Sequence, residues 1–510
     1  MATPPDQHEL PLWLRPPAIA IFVLLMLAVR FVVAGATGLV RDEGYYTLWS
    51  FWPAPGYLDH PPMLAWLIAA GRVLAGESEL GVRLFPILAT AAISFAIYRT
   101  GRLLLDARTA GIAVIWFNLT VASGLLFIAA PDAPSVSFWA LAIWAVAEFV
   151  ARRNPAWWLA AGLFAGLGLL SKYTTVLLGA GLLLFLLSSR ERIGWLKLWQ
   201  VWAGAAVAVG VFLPNLIWNA EHGWAGFGFQ ARRMSDYGLS FGSFSDNLLD
   251  FVGGQAAATG LFLFILVGIG AALFFSRRDL PGRANLALPL LTALPLLITF
   301  TAYNVKFRVE ANWPVAVWPM LSLVGAWAAV HARPRHLMLA APLAVLRWAQ
   351  APVGAMLLAL IYAQALWQPF ALGQAIDRTR DMRGWRQVQA DVAALATANG
   401  AQWVAVIADY GLVGELAAYA RFNGDTRPVE AMGEFERYDF RPPFDAALLG
   451  KPAVFVADAG ASVDVPLTYF AEATALGTVE RRQPGEVLQR FEVFLVARPL
   501  PATANALLQR

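Results

Sequence analysis

The sequence contains no cysteine and few charged residues, which make up 14% of its 510 positions. Without cysteine the chain has no disulfide bonds, no thiol chemistry and no thiolate metal ligands. Soluble domains carry roughly 25% charged residues, so a chain with this little charge is not an ordinary soluble protein. Hydrophobic residues account for 59% of the chain, and the net charge is only +4. This balance indicates a protein solvated largely by lipid and not a nucleic-acid-binding protein.

Apolar runs of about the 20 residues that a helical span needs recur through the first part of the chain. They predict a polytopic α-helical membrane protein with about 11 to 13 transmembrane helices. Arg30 lies inside the first run, where it either snorkels to the interface or serves a function. Arg347 interrupts the last run, which could hold a re-entrant segment plus one span. The runs lie at 18–36, 81–98, 110–128, 135–151, 156–171, 174–189, 198–218, 254–275, 285–302, 312–331 and within 338–368.

Arginine and lysine are concentrated in alternate loops between these runs, which is the pattern of loops on the cytoplasmic side. The N-terminus is predicted on the same side, and everything after about residue 369 on the opposite side. The sequence therefore predicts a multi-pass protein with a cytoplasmic N-terminus and a periplasmic C-terminal domain. The cytoplasmic set is Arg99, Arg102, Arg108, Arg152, Arg153, Arg190, Arg192, Lys197, Arg277, Arg278, Arg283, Arg333 and Arg335.

This topology brings ionisable residues that are far apart in the sequence to one face of the membrane. For any one of them, an ordinary solvated loop is as good an explanation as a functional site. Asp132 and Lys172 differ, because each lies where an apolar helix starts or ends, in a loop too short to be general surface. An ionisable group in such a place usually faces a protein cavity. The set is Asp42, Glu43, Asp59, His60, Asp132, Lys172, Lys306, Arg308 and Glu310.

The segment 37–80 contains the stretch RDEGYYTLWSFWPAPGYLDHPP at 41–62 and does not have the composition of a simple loop. The prolines and glycine at 53–56 separate a helical pattern over 42–49 from a second, amphipathic one over 63–76. We predict two short helices lying along the membrane interface, whose junction presents Asp59 and His60. A lone histidine is more often hydrogen-bonded than a ligand, so no metal site is predicted at His60.

Beyond residue 369 the chain becomes more polar, which indicates a separate domain. Helical patterns at 384–400 and 411–421 alternate with strand patterns at 402–409, 452–458 and 491–497. Their alternation predicts a soluble α/β domain with a largely parallel sheet. The turn ADYGLVGE has too few glycines for a dinucleotide site. The predicted domains are thus 1–369, which is transmembrane, and 370–510, which is extracytoplasmic and positioned to cap the first.

Six short motifs occur together over roughly residues 18 to 368: DEGYYTLWS, GYLDHPP, GVRLFPIL, PDAP, SKYT and KFRVEANWP. Together they resemble the polytopic glycosyltransferases with the GT-C fold, in the branch of protein O-mannosyltransferase-like and lipid A aminoarabinose transferase-like enzymes. The resemblance implies an enzyme of the bacterial inner membrane that takes a sugar from a polyprenyl phosphate carrier, such as undecaprenyl phosphate. The sugar would pass, with inversion, to an acceptor at the outer face: lipid A or lipopolysaccharide core, another glycolipid, or protein.

The resemblance also implies roles for particular residues. Asp42 matches the first acidic position of the family's Asp-Glu pair, the catalytic carboxylate, and Asp132 matches the second acidic position. Glu43 either assists Asp42 or orients its neighbours. His60 stands where aminoarabinose transferase-like members tend to carry lysine, which disfavours an aminoarabinose donor.

The chemistry of glycosyl transfer explains these residue types independently. A carboxylate can accept the proton of the attacking hydroxyl, and arginine or lysine can neutralise the departing phosphate. Paired carboxylates could hold a divalent cation through oxygen ligands, although no spacing requires one. The predicted catalytic residues are Asp42, Glu43 and Asp132, and the predicted donor or substrate contacts are Tyr45, Tyr46, Asp59, His60, Arg83, Lys172, Tyr173, Lys306, Arg308 and Glu310.

A lipid or solute transporter, or a flippase, is the alternative interpretation, because many spans with ionisable groups also describe those proteins. Transporters place such groups near the midplane and often contain internal repeats. Here the charges gather at one face, and the sequence has no recognisable repeat.

Overall fold

The computed structural model describes residues 10–236, 244–305, 307–333, 340–373, 376–407 and 409–509, without the side chains of 233–236 and 244–246. Helices dominate the described residues before position 370. They are α1 Pro16–Ala36, α2 Arg41–Trp49, α3 Met63–Ala75, α4 Glu79–Leu104, α5 Ala107–Asn118, α6 Val121–Leu125, α7 Asp132–Arg152, α8 Trp157–Ser171, α9 Val176–Leu187, α10 Arg190–Trp195, α11 Trp199–Glu221, α12 Ala225–Asp236, α13 Phe244–Thr259, α14 Leu261–Ser276, α15 Ala287–Tyr303, α16 Trp318–His331 and α17 Ala340–Trp367.

Several of these helices are long and apolar enough to cross a membrane. Within the described residues six meet this condition, and a seventh span results if the bent pair Asn247–Thr259 and Leu261–Ser276 is counted as one. Shorter apolar helices lie at Met63–Ala75, Trp157–Ser171, Tyr173–Leu187 and Val315–His331. The predicted polytopic helical fold is confirmed, including the two short helices α2 and α3 between the first two long ones. The predicted 11 to 13 spans are reached only if shorter helices also cross.

Two apolar runs fold differently from their prediction. The run 110–128 divides into α5 and α6, because the Thr120 hydroxyl caps the second helix by accepting from the Ser123 N–H at 3.1 Å. The run 254–275 is bent by 106° at Gly260, which has a φ of 84°. The last run is one helix, α17, which continues through Arg347 and Pro352. The segment 219–253 contains α12 and most of α13.

The described chain forms two compact units. Unit 1 consists of Met1–Arg30, Pro86–Phe127 and Pro131–Leu360. In its interior α8 and α11 approach closely at two glycines: a Cβ on Gly162 would lie 1.9 Å from the Gly204 carbonyl oxygen. Arg30 is fully buried and donates to the Asn118 amide oxygen at 3.0 Å and to the Ser123 hydroxyl at 2.9 Å. Arg30 therefore lies in a buried polar network and does not snorkel.

Unit 2 consists of Phe31–Phe85, Ile128–Ala130 and Ile361–Arg510. Tyr45, Trp49 and Leu64 from α2 and α3 share one hydrophobic core with Val404 and Leu412. The predicted domain boundary at residue 369 stays a prediction. The remaining elements of unit 2 are α18 Trp385–Ala398, α19 Tyr410–Phe422, α20 Asp464–Leu467, α21 Pro501–Leu508, β1 Trp403–Ile407, β2 Val429–Ala431, β3 Ala453–Asp458, β4 Phe470–Gln483 and β5 Glu486–Pro499.

The strands form a five-stranded sheet in the order β2-β1-β3-β5-β4. β1 is parallel to β2 and β3, whereas β5 is antiparallel to β3 and β4. The prediction of a largely parallel sheet is therefore wrong, and the sheet is mixed. The cause is the β4–β5 hairpin, which is closed between Gln483 and Glu486 by Pro484 and by Gly485 with a φ of 78°.

In unit 2, α19 packs on α2 through glycine. A Cβ on Gly414 would lie 2.2 Å from the Tyr45 nitrogen, and a Cβ on Gly44 would lie 2.7 Å from the Glu415 nitrogen. Such distances permit no side chain on either helix at the crossing. The first turns of the two helices are therefore neighbours.

Candidate functional site

Glu43 forms a buried ion pair with Arg83, and both side chains are 0% exposed. Arg83 donates to Glu43 Oε1 from Nε at 2.8 Å and to Oε2 from Nη2 at 2.5 Å. Its other contacts include the carbonyls of Ala34 and Gly38. Glu43 also accepts from the Ala129 N–H at 2.8 Å. These are the contacts of a structural pair, and they hold the first turn of α2 in place.

Asp42, the residue before Glu43 on α2, is exposed. Its Oδ1 accepts a hydrogen bond from the Tyr410 hydroxyl at 2.8 Å. Beside it, Arg41 is ion-paired with Asp409 and donates to Gln489 Oε1 at 2.8 Å. The carboxylate of Asp42 is thus both accessible and oriented by residues from the C-terminal part of the chain.

Asp59 is buried among α2 and the C-terminal part of unit 2. It accepts from the Tyr45 hydroxyl at 2.8 Å and from Arg437 Nη1 at 3.1 Å. Burial, and secondarily the charge of Asp59, raise the pKa of Tyr45 well above its ordinary value. Tyr45 is therefore a neutral hydrogen-bond donor that, with Arg437, satisfies the buried carboxylate of Asp59.

Tyr46 and His60 lie together near this cluster. Tyr46 is buried, with its ring centroid 4.8 Å from that of Trp49 and 6.1 Å from that of His60. His60 is half-buried. Asp42, Tyr46 and His60 of the segment 41–62 thus lie in the same compact unit.

Glu415 is a buried acid that the sequence analysis did not single out. It is 0% exposed, and neither carboxyl oxygen has a hydrogen-bond partner within the described residues. Burial, and secondarily the negative charge of Glu43, raise the pKa of Glu415 well above its ordinary value. Glu415 is therefore held as a neutral acid at the α2–α19 crossing.

Unit 1 contains the second group of predicted residues. The ammonium of Lys172 donates to Asp132 Oδ1 at 2.7 Å, and both side chains are about one-seventh exposed. Asn312 donates to the other oxygen, Oδ2, at 3.1 Å. Asp132 opens α7, where the helix dipole favours a negative charge. Asp132 therefore orients a lysine that retains access to solvent.

Tyr173, next to Lys172, meets two buried amides on α11 that the sequence analysis missed. Asn219 Nδ2 lies 3.4 Å from the Tyr173 hydroxyl and donates to the Asn215 carbonyl at 3.0 Å. Asn215 and Asn219 are both 0% exposed. The signal for them was an Asn pair four residues apart inside an apolar run, on one face of its helix.

The remaining predicted residues follow α15. Arg308 and Glu310 are exposed or partly exposed, with Nε and Oε1 3.7 Å apart. Lys306 lies outside the residues that the structure describes. Within the described residues no group of three or more His, Asp and Glu side chains could hold a metal ion.

The dolichyl-phosphate-mannose-protein mannosyltransferase family matches residues 59–218 of this chain. The lipid A galacturonosyltransferase RgtD of Rhizobium johnstonii is 26% identical over 314 residues, 57% of this chain and 61% of that protein. The lipopolysaccharide core galacturonosyltransferase RgtB of the same organism is 29% identical over 209 residues, 40% of this chain and 42% of that protein. The chain thus spans about two fifths to three fifths of these relatives.

The crystal structure of ArnT from Cupriavidus metallidurans bound to undecaprenyl phosphate has the same fold. The TM-score is 0.60 at 18% identity, with 93% of this chain and 97% of ArnT covered. The protein is therefore a polytopic membrane protein of the GT-C fold. The resemblance predicted from the motifs is confirmed at the level of fold and of similar proteins. These relatives are transferases, which favours the glycosyltransferase interpretation over the transporter or flippase.

Proposed function

We propose that the protein is an integral membrane glycosyltransferase. It takes a sugar from a polyprenyl phosphate and transfers it, with inversion, to a glycolipid of the lipopolysaccharide type. The observation that carries this proposal is the exposed carboxylate of Asp42, held by Tyr410 at 2.8 Å in a chain with the fold of ArnT. The names of RgtD and RgtB support a lipid A or core acceptor. A protein acceptor is the less favoured alternative.

Asp42 acts as the catalytic carboxylate in this proposal. It accepts the proton of the acceptor hydroxyl while the hydroxyl oxygen forms a bond to the anomeric carbon. The bond from that carbon to the phosphate oxygen breaks, and its electron pair leaves with the lipid phosphate. One displacement of this kind inverts the anomeric configuration.

Lys172 supplies positive charge to the donor phosphate, and Asp132 orients Lys172 through the contact of 2.7 Å. Arg308 and Lys306 are further phosphate contacts, and Tyr173 and Glu310 are contacts to the donor. Glu43 and Arg83 support Asp42 by holding the first turn of α2, because their charges are fully buried and paired with each other. The protein surface beside Asp42 is supported by Asp59, Tyr45, Tyr46 and His60. No metal ion is assigned to the reaction.

The donor sugar in this proposal is a uronic acid. Both relatives described above are named galacturonosyltransferases. In addition, His60 replaces the lysine expected in aminoarabinose transferase-like members. A negatively charged sugar is therefore the first donor to test.

The site lies at the outer face of the bacterial inner membrane, with a cytoplasmic N-terminus and a periplasmic segment 370–510. The alternation of arginine-rich loops supports this orientation. In the same proposal residues 1–369 form the transmembrane catalytic domain.

The test is a transfer assay with purified protein in lipid nanodiscs, using undecaprenyl phosphate galacturonic acid as donor and lipid A as acceptor. The wild type and Asp464→Asn, an exposed control, should transfer the sugar, whereas Asp42→Asn should lose at least a hundredfold in rate. Undecaprenyl phosphate aminoarabinose serves as the competing donor. Full activity of Asp42→Asn would refute the catalytic assignment. Absence of transfer from either donor to lipid A, core oligosaccharide or protein would refute the proposed function.

A further inference from the structure

The α/β segment of unit 2 contacts the residues around the proposed catalytic carboxylate one after another. Asp409 pairs with Arg41, Tyr410 donates to Asp42, and Gly414 lies against Tyr45. We propose that Tyr410 is a positioning residue that fixes the Asp42 carboxylate for catalysis. This inference rests on the proposed function, because it concerns the same reaction.

The start of α19 is fixed relative to α2 by two independent contacts. Asp409 caps α19 by accepting from the Leu412 N–H at 3.1 Å, and it forms the ion pair with Arg41 at the start of α2. One turn further along, the glycine contact brings the two backbones together, with a Cβ on Gly414 only 2.5 Å from the Gly44 carbonyl carbon. Tyr410 lies between these two contacts in the sequence, so they fix the position of its backbone beside Asp42.

The ring of Tyr410 is also held in place. It packs edge-on against Tyr45 with centroids 5.1 Å apart, and the Arg437 guanidinium lies 4.7 Å over its face. Arg437 is in turn bound to Asp59 at 3.1 Å. A cation over the ring draws electron density from the phenol, which makes its hydroxyl a stronger donor. The hydroxyl that meets Asp42 is therefore both oriented and polarised.

The consequence is chemical. A hydrogen bond to the ionised form of a carboxylate favours that form, and a carboxylate must be ionised to accept a proton. It also limits rotation of the carboxylate, which keeps one orientation toward the acceptor hydroxyl. Loss of the Tyr410 hydroxyl should lower kcat and move the acid limb of the pH profile to higher pH. The KM for the lipid donor should stay unchanged, because in the proposed reaction Tyr410 contacts the carboxylate and not the donor phosphate.

The test is Tyr410→Phe, which removes one oxygen and keeps the ring between Tyr45 and Arg437. Tyr469→Phe is the matched control, since Tyr469 packs its ring near Phe455 in the sheet region. The assay measures kcat and KM for the lipid donor, and kcat/KM from pH 5 to 9, with thermal unfolding recorded for each variant. We expect a fall in kcat of about tenfold for Tyr410→Phe and none for the control.

An unchanged kcat and an unchanged acid limb in Tyr410→Phe would overturn the inference while leaving the proposed function intact. Complete loss of transfer by a folded Tyr410→Phe would overturn it too, because it would make Tyr410 a catalytic group. A reduced folded fraction would lower all rates equally and leave the acid limb in place, so the limb distinguishes positioning from stability. Inactivity of the wild type would instead refute the proposed function.

Discussion

Replacing Glu43 by glutamine should destabilise the protein strongly, because it removes the counter-charge of a buried arginine. Arg83 and Glu43 are both 0% exposed, and they meet in a bidentate contact of 2.5 and 2.8 Å. Glutamine has nearly the same shape but no charge. The NH2 group of the glutamine would face an N–H donor of Arg83. In the wild type a carboxylate oxygen accepts a hydrogen bond at that position.

The magnitude follows from these contacts. Breaking a buried pair by removing one partner costs about 3–5 kcal/mol. The Glu43 carboxylate also accepts from the backbone N–H of Val40 at 3.0 Å and of Ala129 at 2.8 Å. Because domains are stable by only about 5–15 kcal/mol, a loss of this size should lower the unfolding temperature by many degrees.

The assay is thermal unfolding of purified protein in a fixed detergent, with Glu43→Gln, Arg83→Met and the double variant. The double variant should lose less stability than the two single variants together, because it leaves no unpaired charge behind. Glu472→Gln is the matched control, since the ion pair of Glu472 with Arg498 is more than half exposed. An exposed pair contributes about 0–1 kcal/mol, so this control should unfold as the wild type does.

The reasoning fails if Glu43→Gln unfolds at the wild-type temperature. If it also loses sugar transfer, then Glu43 assists Asp42, which is one of the two roles that the sequence left open. Additive losses in the double variant would likewise show that the two charges do not stabilise each other.

Three further predictions concern other contacts. Gly414→Ala places a Cβ 2.2 Å from the Tyr45 nitrogen, so it should cost about 1–3 kcal/mol and slow sugar transfer. Gly433→Ala, whose Cβ would meet nothing within 4 Å, should change neither in the same unfolding and transfer assays. Lys172→Met should raise the KM for the lipid donor about tenfold or more, because it removes a charged phosphate contact; donor titrations would show this. Burial raises the pKa of Glu415 above its ordinary value of 4.5, so the protonated side chain favours the folded state below pH 4.5. This contribution to stability is lost as the pH rises. Glu415→Gln should therefore flatten the decline of the unfolding temperature as the pH rises above 4.5.

The local elements were predictable because their signals are local. Prolines and glycine at 53–56 separate α2 from α3, and the amphipathic pattern over 384–400 gives α18. The hairpin of β4 and β5 had a local signal too, the Pro-Gly dipeptide at 484–485. Its omission made the sheet seem more parallel than it is.

The contacts that build the site could not be predicted in this way. Glu43 and Arg83 are 40 residues apart, and Asp42 and Tyr410 are 368 residues apart. Hydropathy places residues on a face of the membrane but does not pair them. Gly414 illustrates the same limit, because a glycine inside a helix indicates close packing without naming the partner.

The adjacent acids Asp42 and Glu43 therefore have different roles. Every residue of α2 from Glu43 to Trp49 is buried, so only its first two positions reach solvent. The core of unit 2 contains Tyr45 and Trp49 of α2, and it receives Glu43, where Arg83 compensates the charge. Asp42 comes one position before this buried stretch and stays exposed beside Tyr410. The buried acid fixes the direction of the helix, and that direction presents the other acid to the substrate in the proposed reaction.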